Sequence, residues 1–480
     1  MKKYKLFLIL FSVPLFVLIS CGEDFLGLTP HSSTVIEELY KTESDFDQAV
    51  LGTYSALRGQ YGNAAWHVGD LRADDVWQEM LNQTGHVLTD TYSGHTAAND
   101  IWNNGYATIH RANMILQQIE NIDIPNKARY IAETKFLRAL TYFNIVRVFG
   151  DAPLLTEPVL PDEASLIGRT AINLIYDDLI IPDFIEATNG LPEQYSGESI
   201  GRATSGAATA LLGKVYLTRG DFLKAESTLL QVTNMGYELL EDYNAIFDWI
   251  NGKHHSEYIF EIEYSSSPGI QGSDFTQTFS PNWDIFRAHY NIGGTLHDSF
   301  TPTMELFNLF EDEDLRKDIS VTNGITTNEG EFIEIPSRLM SLMCLKYAIP
   351  VDFNNNGDAN WIVIRYADVL LMLAEAMNEN GKVDEGLNYL NEVRERAGLN
   401  PLFGLSQTEM RDAIELERRL EFIGEGHRWF DLIRWGKAEE ILGPLGMEPY
   451  MVLWPIPQTE IDLINDPSIL PQNPGYGVVQ

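Results

Sequence analysis

The chain has 480 residues, of which 69 are acidic and 33 basic, and its formal charge at pH 7 is −36. So acidic a chain repels nucleic acids and anionic lipid headgroups, which excludes both as ligands, whereas neutral polar ligands are not repelled. It has two cysteines. Because we expect one of them to be acylated, no disulfide is predicted, and a large apolar core must stabilise the fold.

The first 20 residues have the pattern of a secretion signal. Lysines at positions 2, 3 and 5 precede an apolar run over 6–19, and Ser20 stands directly before Cys21. As a helix that run would rise about 21 Å, less than the roughly 30 Å of hydrocarbon that a transmembrane helix must span. A small residue before a cysteine at the end of such a run is typical of a lipoprotein cleavage site. We predict a signal peptide over 1–20, lipidation of Cys21 and a tether over 21–33.

Helical periodicity dominates the next part of the chain. Apolar positions recur at helical spacing from Glu43 onwards, over 102–119 and over 127–149. A polar stretch dotted with aromatic residues, about 60–96, separates the first two of these segments. We therefore predict three helices here, the third ending at Gly150.

An internal repeat follows these helices. Two stretches share the same offsets of a 34-residue tetratricopeptide frame, in which small residues let paired helices approach closely and a glycine closes the turn between them. The first copy has Leu212, Gly213, Tyr216, Gly220, Ala225 and Leu229, and the second has Leu373, Ala374, Met377, Gly381, Gly386 and Leu390. The repeat indicates tetratricopeptide-like helix pairs, and two unrelated helical hairpins are the alternative.

The segment between the two copies has a different character. Residues 236–361 are rich in Gly, Ser, Asn, Pro and aromatic residues, with short strand-like runs such as 257–264. Long irregular segments on a rigid scaffold are frequent binding regions. We predict a mainly α-helical chain that forms one compact unit. Its parts are a helical repeat region over 34–235, an irregular insert with little β-structure over 236–361, and a second repeat with a closing region over 362–480.

The order of several short motifs resembles the SusD/RagB family of outer-membrane nutrient-binding lipoproteins. The motifs are CGEDFL at 21–26, RALTYFNIVR at 138–147, FGDAPL at 149–154, GRAT at 201–204, IRYADVLL at 364–371, ERR at 417–419, GHRWFDL at 426–432 and LWPIP at 453–457. No single motif is decisive, but their number and order along nearly the whole chain make the resemblance specific.

The resemblance implies about four tetratricopeptide-like helix pairs that carry the irregular insert. It implies a lipid-anchored protein on the surface of the outer membrane, which closes as a lid over a SusC-like TonB-dependent barrel. It also implies the capture of oligosaccharides, or sometimes peptides, without turnover. We expect no cofactor.

Two loop segments combine aromatic rings with planar polar groups, which is the chemistry that binds neutral glycans. They are 66–77, with a tyrosine downstream, and 283–291, and members of the family that the chain resembles typically draw their sites from these regions. The candidates for ligand binding are the rings of Trp66, Trp77, Tyr92, Trp283 and Tyr290 and the polar side chains of Arg72, Asp75 and Arg287. For each ring the alternative is a half-buried packing residue.

Residues 352–358 resemble the first half of a calcium loop, with oxygen-bearing side chains at positions 1, 3 and 5 and a glycine at position 6. The candidate ligands are Asp352, Asn354, Asn356 and Asp358. Position 12 is Val363, where a bidentate glutamate is required. A weak structural calcium site and a polar turn are the two interpretations.

Catalysis finds little support in the sequence, which has neither a His-Glu-x-x-His zinc motif nor a Walker loop. A glycoside hydrolase needs only two suitably spaced carboxylates and stays an alternative. His427, in a charged block with Glu425, Arg428 and Asp431, is either a reactive histidine or part of a satisfied ion-pair network. A tetratricopeptide scaffold lipoprotein of outer-membrane assembly is the other alternative, although it would have no use for the aromatic insert.

Overall fold

A computed structural model of the chain describes residues 39–77, 92–297, 299–336 and 342–477. The predicted signal peptide, the lipidation site Cys21 and the tether over 21–33 lie outside these residues. Within them, no helix combines the length and the apolar character that crossing a membrane requires.

Nine helices of ten or more residues build the scaffold of the described chain. They are α1 (Glu43–Tyr61), α2 (Tyr92–Ile119), α3 (Lys127–Phe149), α4 (Ile181–Gly190), α5 (Ser205–Thr218), α6 (Phe222–Val232), α7 (Tyr366–Glu379), α8 (Val383–Arg396) and α9 (Gln407–Glu421). Each helix from α1 to α8 packs against the next, and α9 packs on α7. The four pairs α1–α2, α3–α4, α5–α6 and α7–α8 confirm the predicted mainly helical, tetratricopeptide-like fold, although α2 begins at Tyr92 and not at residue 102.

The helices begin and end where local chemistry directs them. Thr42 and Ser406 each close a capping box at the first turns of α1 and α9, and the side chain of Thr204 accepts a hydrogen bond from the third residue of α5. The repeat glycines are required by packing. A Cβ atom at Gly213 would lie 2.4 Å from a methyl group of Leu229 across the α5–α6 pair. This close approach is the reason for the small residues of the tetratricopeptide frame.

Shorter elements connect the long helices. The short α-helices are Asn63–Trp66, Pro161–Ala164, Ile172–Ile175, Phe275–Phe279, Asp284–Tyr290, Met304–Leu309, Lys317–Ser320, Arg428–Arg434, Ala438–Leu442 and Gln458–Ile464. Single turns of π-helix lie at His67–Leu71 and Tyr176–Ile180, and 3₁₀ turns lie at Gly197–Ser199, Tyr243–Phe247, Gly443–Leu445 and Pro449–Val452. The strands are β1 (Val76–Trp77), β2 (Ala152–Pro153), β3 (Arg169–Thr170), β4 (Tyr258–Ile262), β5 (Thr301–Pro302), β6 (Gly324–Thr326), β7 (Phe332–Glu334) and β8 (Trp361–Arg365). They pair antiparallel as β1–β5, β2–β3, β4–β8 and β6–β7.

The insert is joined to the helical scaffold by a strand pair, and its buried rings belong to the same hydrophobic cluster as those of the scaffold. Strand β4 lies within the insert and pairs with β8, which leads directly into α7, and both strands are fully buried. The ring of Tyr347 stacks between Trp249, at 5.8 Å, and Trp361, at 6.3 Å, and lies 4.5 Å from Phe279. Much of the aromatic content that predicted a binding surface is therefore part of the hydrophobic core.

Candidate functional site

Trp66 is a packing residue beneath the first predicted segment. It ends the short helix Asn63–Trp66 and is 1% exposed. Its ring lies edge-on to Phe279 and Phe300, with both centroid distances at 6.0 Å. The structure therefore contradicts the expectation of an exposed stacking ring at this position. The ring joins the 66–77 segment to the insert instead.

Arg72 is likewise part of the scaffold. Its guanidinium lies 4.6 Å from the ring centroid of Trp429 and 3.9 Å from that of Trp454, and it donates a hydrogen bond of 3.3 Å to the carbonyl of Leu453. The residue is 2% exposed. Because two aromatic rings and a backbone carbonyl take up the guanidinium, the structure does not support Arg72 as a ligand contact. Arg72 fastens the first segment to the C-terminal part of the chain.

Asp75 and its neighbour Asp74 are held by Arg419 of α9 and by Arg428, the first residue of the short helix Arg428–Arg434. Arg419 Nε lies 2.6 Å from Asp75 Oδ1, and Arg428 forms two contacts of 2.8 Å with Asp74. Burial and the charge of Asp74 raise the pKa of Asp75 to about 6. With 4% of its surface exposed, Asp75 is not the hydroxyl-binding carboxylate that the sequence suggested.

The second segment is half buried. Trp283 is 6% exposed, which contradicts its prediction as a stacking ring, and it precedes the helix Asp284–Tyr290. Tyr290 packs at 4.7 Å on the buried ring of Phe286 and keeps part of its ring at the surface, and burial raises the pKa of its hydroxyl. Arg287 donates a hydrogen bond of 2.7 Å to the carbonyl of Gly294 and is also half exposed. Of this segment, Tyr290 and Arg287 stay candidates for ligand contact.

Trp77 and Tyr92 border a part of the chain that the structure does not describe. The backbone of Trp77 pairs with Thr301 in the β1–β5 ribbon, and Tyr92 is the first residue of α2. Their side chains lie outside the described structure, as do residues 78–91 between them. Both rings stay predictions. In the described part of the chain, every other tryptophan and tyrosine is at least half buried.

One stretch of backbone links the helix that carries Arg287 and Tyr290 to Trp77. Residues 291–302, described apart from residue 298, run from Ile292, which bridges to Val351, to Thr301, which pairs with Trp77. Along the way the amide of His297 donates a hydrogen bond of 3.0 Å to the carbonyl of Gln277. We call residues 291–302 the connecting segment. It places the backbone of Trp77 at one end and that of the 352–358 turn at the other.

The 352–358 turn does not gather its polar side chains around one point. Asn354 Oδ1 accepts a hydrogen bond of 2.8 Å from the amide of Thr295, and the carboxylate of Asp358 is bound by the amide and hydroxyl of Ser266. With two of the four proposed ligands turned to different partners, the geometry supports the polar-turn interpretation for Asp352, Asn354, Asn356 and Asp358 over the calcium site.

The same turn carries an exposed aromatic ring that the sequence reasoning missed. Phe353 is 59% exposed, while its carbonyl accepts a hydrogen bond of 3.2 Å from the buried amide of Gln277. A Cβ atom at Gly293 would lie 1.9 Å from the carbonyl oxygen of Asp352, so the turn sits tightly on the connecting segment. An apolar residue within so polar a turn was the available sequence signal.

His427 belongs to a buried ion-pair network. Its Nδ1 lies 3.4 Å from Lys214 Nζ and 3.9 Å from Asp368 Oδ2, and Asp368 in turn pairs with Arg418 at 2.7 Å. Burial, and next the charge of Lys214, lower the pKa of His427 to about 3. This supports the interpretation as a satisfied network, because a ring with so low a pKa is a poor general base at pH 7.

The depressed pKa of His427 predicts a specific pH dependence. The folded ring resists protonation down to about pH 3, whereas the unfolded ring takes up a proton near its usual pKa of about 6.5. Its contribution to stability is therefore complete above pH 6.5 and is lost as the pH falls towards 3, by about 1.4 kcal/mol per pH unit. We expect the free energy of unfolding of His427→Gln, measured in urea at pH 6.5, 5.5 and 4.5, to fall less steeply than that of the wild type. His110→Gln, an exposed site on α2, is the control, and parallel profiles for wild type and His427→Gln would contradict the assignment.

One pentapeptide, 197–201, has the Gly-x-Ser-x-Gly pattern of a nucleophile elbow. An elbow places its serine on a sharp turn from a strand to a helix at the edge of an α/β sheet. Here Ser199 lies in the 3₁₀ turn Gly197–Ser199, which no strand precedes directly, and the described sheets are two-stranded and antiparallel. The pattern is therefore a coincidence of turn residues.

Metal-ligating side chains converge at one place in the described chain. His254, Glu261 and Glu263 bring one ligand atom each to within 4.8 Å of one another, beside strand β4. A histidine seven residues before the first of two glutamates that alternate along a strand was the sequence signal, and the sequence reasoning missed it.

The structure is a helical-repeat scaffold with an irregular insert and with partly exposed aromatic rings near the connecting segment, and this arrangement is that of a ligand-binding protein. Comparison with known proteins identifies the family. The model of the SusD family matches residues 345–446, and a model described as starch-binding and associating with the outer membrane matches residues 24–217. The SusD-like protein P2 of Formosa agariphila is 31% identical over 520 residues, which cover 99% of this chain and 100% of that protein. The chain belongs to the SusD/RagB family.

Solved structures agree with this assignment. A SusD-like protein from Bacteroides fragilis has a TM-score of 0.78 and 23% identity, and the match covers 91% of this chain and 98% of that one, which shows the shared fold. A laminarin-binding SusD-like protein has a TM-score of 0.76 and 28% identity, covering 91% of this chain and 100% of its own.

Proposed function

We propose that this protein is a cell-surface lipoprotein that binds oligosaccharides and passes them, unchanged, to a SusC-like TonB-dependent transporter, for which it acts as a lid. The observation that carries the proposal is the match to the SusD family along the whole chain. The laminarin-binding relative, at 28% identity over 91% of this chain, supports a neutral glucan as the first ligand to test. A peptide ligand is the alternative within the same class.

Two features suit a neutral glycan: the charge of the protein, and the surface along the connecting segment, which we call the edge. A formal charge of −36 disfavours polyanions but not uncharged sugars. Phe353 offers an exposed ring on a fixed backbone, Tyr290 a partly exposed one, and the backbone of Trp77 lies at the far end of the connecting segment. Rings spaced along one edge are an arrangement on which successive sugar units of a chain can stack.

Two carboxylates of the 66–77 segment are not available for catalysis. Asp74 and Asp75 are both buried and both contact arginines of the 419–428 region. A glycosidase needs one carboxylic acid and one carboxylate facing the scissile bond. Carboxylates committed to guanidinium groups in the interior do not meet that requirement.

We expect removal of the candidate rings to weaken glycan binding. Truncating a ring that stacks on a ligand typically costs more than 1 kcal/mol, so Trp77→Ala, Tyr92→Ala and Phe353→Ala should each lower the affinity for laminarin oligosaccharides about tenfold. Isothermal titration calorimetry measures this directly. Phe403→Ala is the matched control, because this ring is 77% exposed but lies between α8 and α9.

The outcomes separate the alternatives. Unchanged affinity in all three variants would place the site elsewhere on the protein. Binding of peptides and not of any glycan would change the ligand class. Stoichiometric capture of periplasmic proteins, with neither glycan nor peptide binding, would overturn the proposal in favour of an assembly scaffold.

A further inference from the structure

A histidine and two glutamates meet at the end of strand β4. Glu261 lies in the strand and Glu263 directly after it, so their side chains leave the same face. His254 reaches them from the preceding loop, where its backbone adopts the left-handed conformation with φ of 60°. That conformation is uncommon for a residue other than glycine, and it turns the imidazole ring back over the strand.

The three ligand atoms have the spacing of a metal coordination shell. His254 Nδ1 lies 2.9 Å from Glu261 Oε1 and 3.5 Å from Glu263 Oε1. Around a tetrahedral Zn²⁺ with bonds of about 2.0–2.1 Å, neighbouring ligand atoms are separated by about 3.3 Å. The two distances from His254 lie on either side of this value, and all three ligand atoms lie within 4.8 Å of one another.

A buried amide orients both carboxylates. Asn360 Nδ2 donates hydrogen bonds of 3.0 Å to Glu261 Oε2 and 3.1 Å to Glu263 Oε2, and Asn360 is completely buried. Asn360 Oδ1 is itself fixed by the amide of Tyr264 at 2.8 Å and by Lys253 Nζ at 2.9 Å. Outer contacts of this kind orient the ligands of metal sites. Because Asn360 binds the Oε2 atom of each glutamate, the two Oε1 atoms are directed at His254.

These two oxygens lack other partners. Apart from the His254 ring, the described residues give neither Oε1 atom a hydrogen-bond donor, although both atoms are buried and the Glu261 side chain is only 4% exposed. The cluster therefore presents one imidazole nitrogen and two buried carboxylate oxygens to one another, which is a donor set that metal ions take in proteins.

We propose that His254, Glu261 and Glu263 bind a divalent transition metal ion of the Zn²⁺ type. One imidazole nitrogen and two carboxylate oxygens suit Zn²⁺, whereas Ca²⁺ takes six to eight oxygen ligands. His254 and Glu261 also line a cleft of about 290 Å³ together with Tyr195 and Tyr237, which leaves the remaining coordination positions open to water or to a ligand oxygen. Lys253, which precedes His254 in the chain, is held by Asn360 and by the carbonyl of Tyr264.

The metal would connect the loop around His254 to strand β4, and through β8 to the helical scaffold. It would also present a Lewis acid in a cleft separate from the edge around the connecting segment. The inference does not depend on glycan binding, because the cluster is built from residues that the edge does not use.

The test is titration of the metal-free full-length chain, purified in detergent, with Zn²⁺ in the presence of a competing chelator. We expect one Zn²⁺ per chain, and at least 100-fold weaker binding in His254→Gln and in Glu261→Gln. His110→Gln is the matched histidine control and should bind as the wild type does, because His110 is exposed on α2. Substitution with Co²⁺ should give the visible absorption of a low-coordinate site, and this signal should be absent in His254→Gln.

Absence of stoichiometric Zn²⁺ binding to the wild type would overturn the proposal. Wild-type affinity in His254→Gln would do the same, as would selectivity for Ca²⁺ over Zn²⁺. Circular dichroism of the metal-free variants checks folding, and the wild-type titration decides the question if a variant does not fold. Laminarin affinity, measured with and without Zn²⁺, tests the glycan proposal separately.

Discussion

Replacing Arg365 with methionine is expected to lower the free energy of unfolding by about 3–5 kcal/mol, which is the usual cost of breaking a buried ion pair from one side. Arg365 is fully buried at the end of β8. Its guanidinium contacts Glu257 at 2.8 Å, Glu421 at 2.6 Å and Glu425 at 2.8 Å. All three carboxylates are buried too, so methionine fills part of the volume but leaves them without their shared cation.

The remaining cations cannot fully compensate for this loss. Arg316 and Arg396 still reach Glu421, and Lys346 still contacts Glu425 at 2.8 Å. Burial opposes the charge of Glu421, yet Arg396, Arg365 and Arg316 together hold its pKa far below the usual range. Removing one of the three guanidinium groups therefore raises the cost of keeping this carboxylate ionised in the interior.

Chemical denaturation of Arg365→Met and of a matched control measures the effect. Arg411→Met breaks a contact with Glu379, but the Arg411 side chain is 45% exposed, so we expect a cost of at most about 1 kcal/mol. Equal midpoints for the two variants would show that the buried network contributes no more than a surface pair. A soluble but unfolded Arg365→Met protein would be the extreme form of the expected result.

The helical scaffold could be predicted from the sequence for two reasons. Helical periodicity and the repeat glycines gave the long helices, because burial of one face and close packing leave direct traces in local sequence. In addition, several of the family motifs supply the residues of buried ion pairs. Arg365 and Asp368 come from one motif, Arg418 from a second and Asp431 from a third, and Arg418 contacts both aspartates. Motifs made of core residues therefore allow the fold to be predicted.

The binding edge could not be predicted in the same way, because exposure of a ring depends on residues far away in the chain. Arg72 and the rings of Trp429 and Trp454 form one stack, although more than 350 positions separate the arginine from either ring. Trp66 is covered by Phe279 and Phe300 of the insert. No local pattern shows which side chains of the two candidate segments point inward.

Replacing Cys21 with alanine is expected to abolish retention of the protein at the membrane. Acyl chains contribute about 0.8 kcal/mol of membrane affinity for each buried methylene group, and two or more chains make the attachment stable. Among the described residues no helix offers a substitute span. Fractionation of cells should therefore find wild-type protein in the outer membrane and Cys21→Ala in the soluble fractions, with unchanged affinity for laminarin oligosaccharides in solution.

Cys344→Ala is the matched control for the loss of a cysteine. Cys344 is buried and free, and burial raises the pKa of its thiol to about 11, so it is a packing residue and no acylation site. This variant should stay at the membrane even if it is somewhat less stable.

Growth on the cognate glycan then tests the mechanism proposed for the tether. Anchoring beside the transporter keeps the binding protein at a high effective concentration over the pore, and a released protein loses this advantage by dilution. Growth of a Cys21→Ala strain should therefore be strongly impaired at low glycan concentration, although the released protein still binds the glycan. Unimpaired growth would mean that delivery does not need the tether, and it would refute the role as an anchored lid while leaving glycan binding in place.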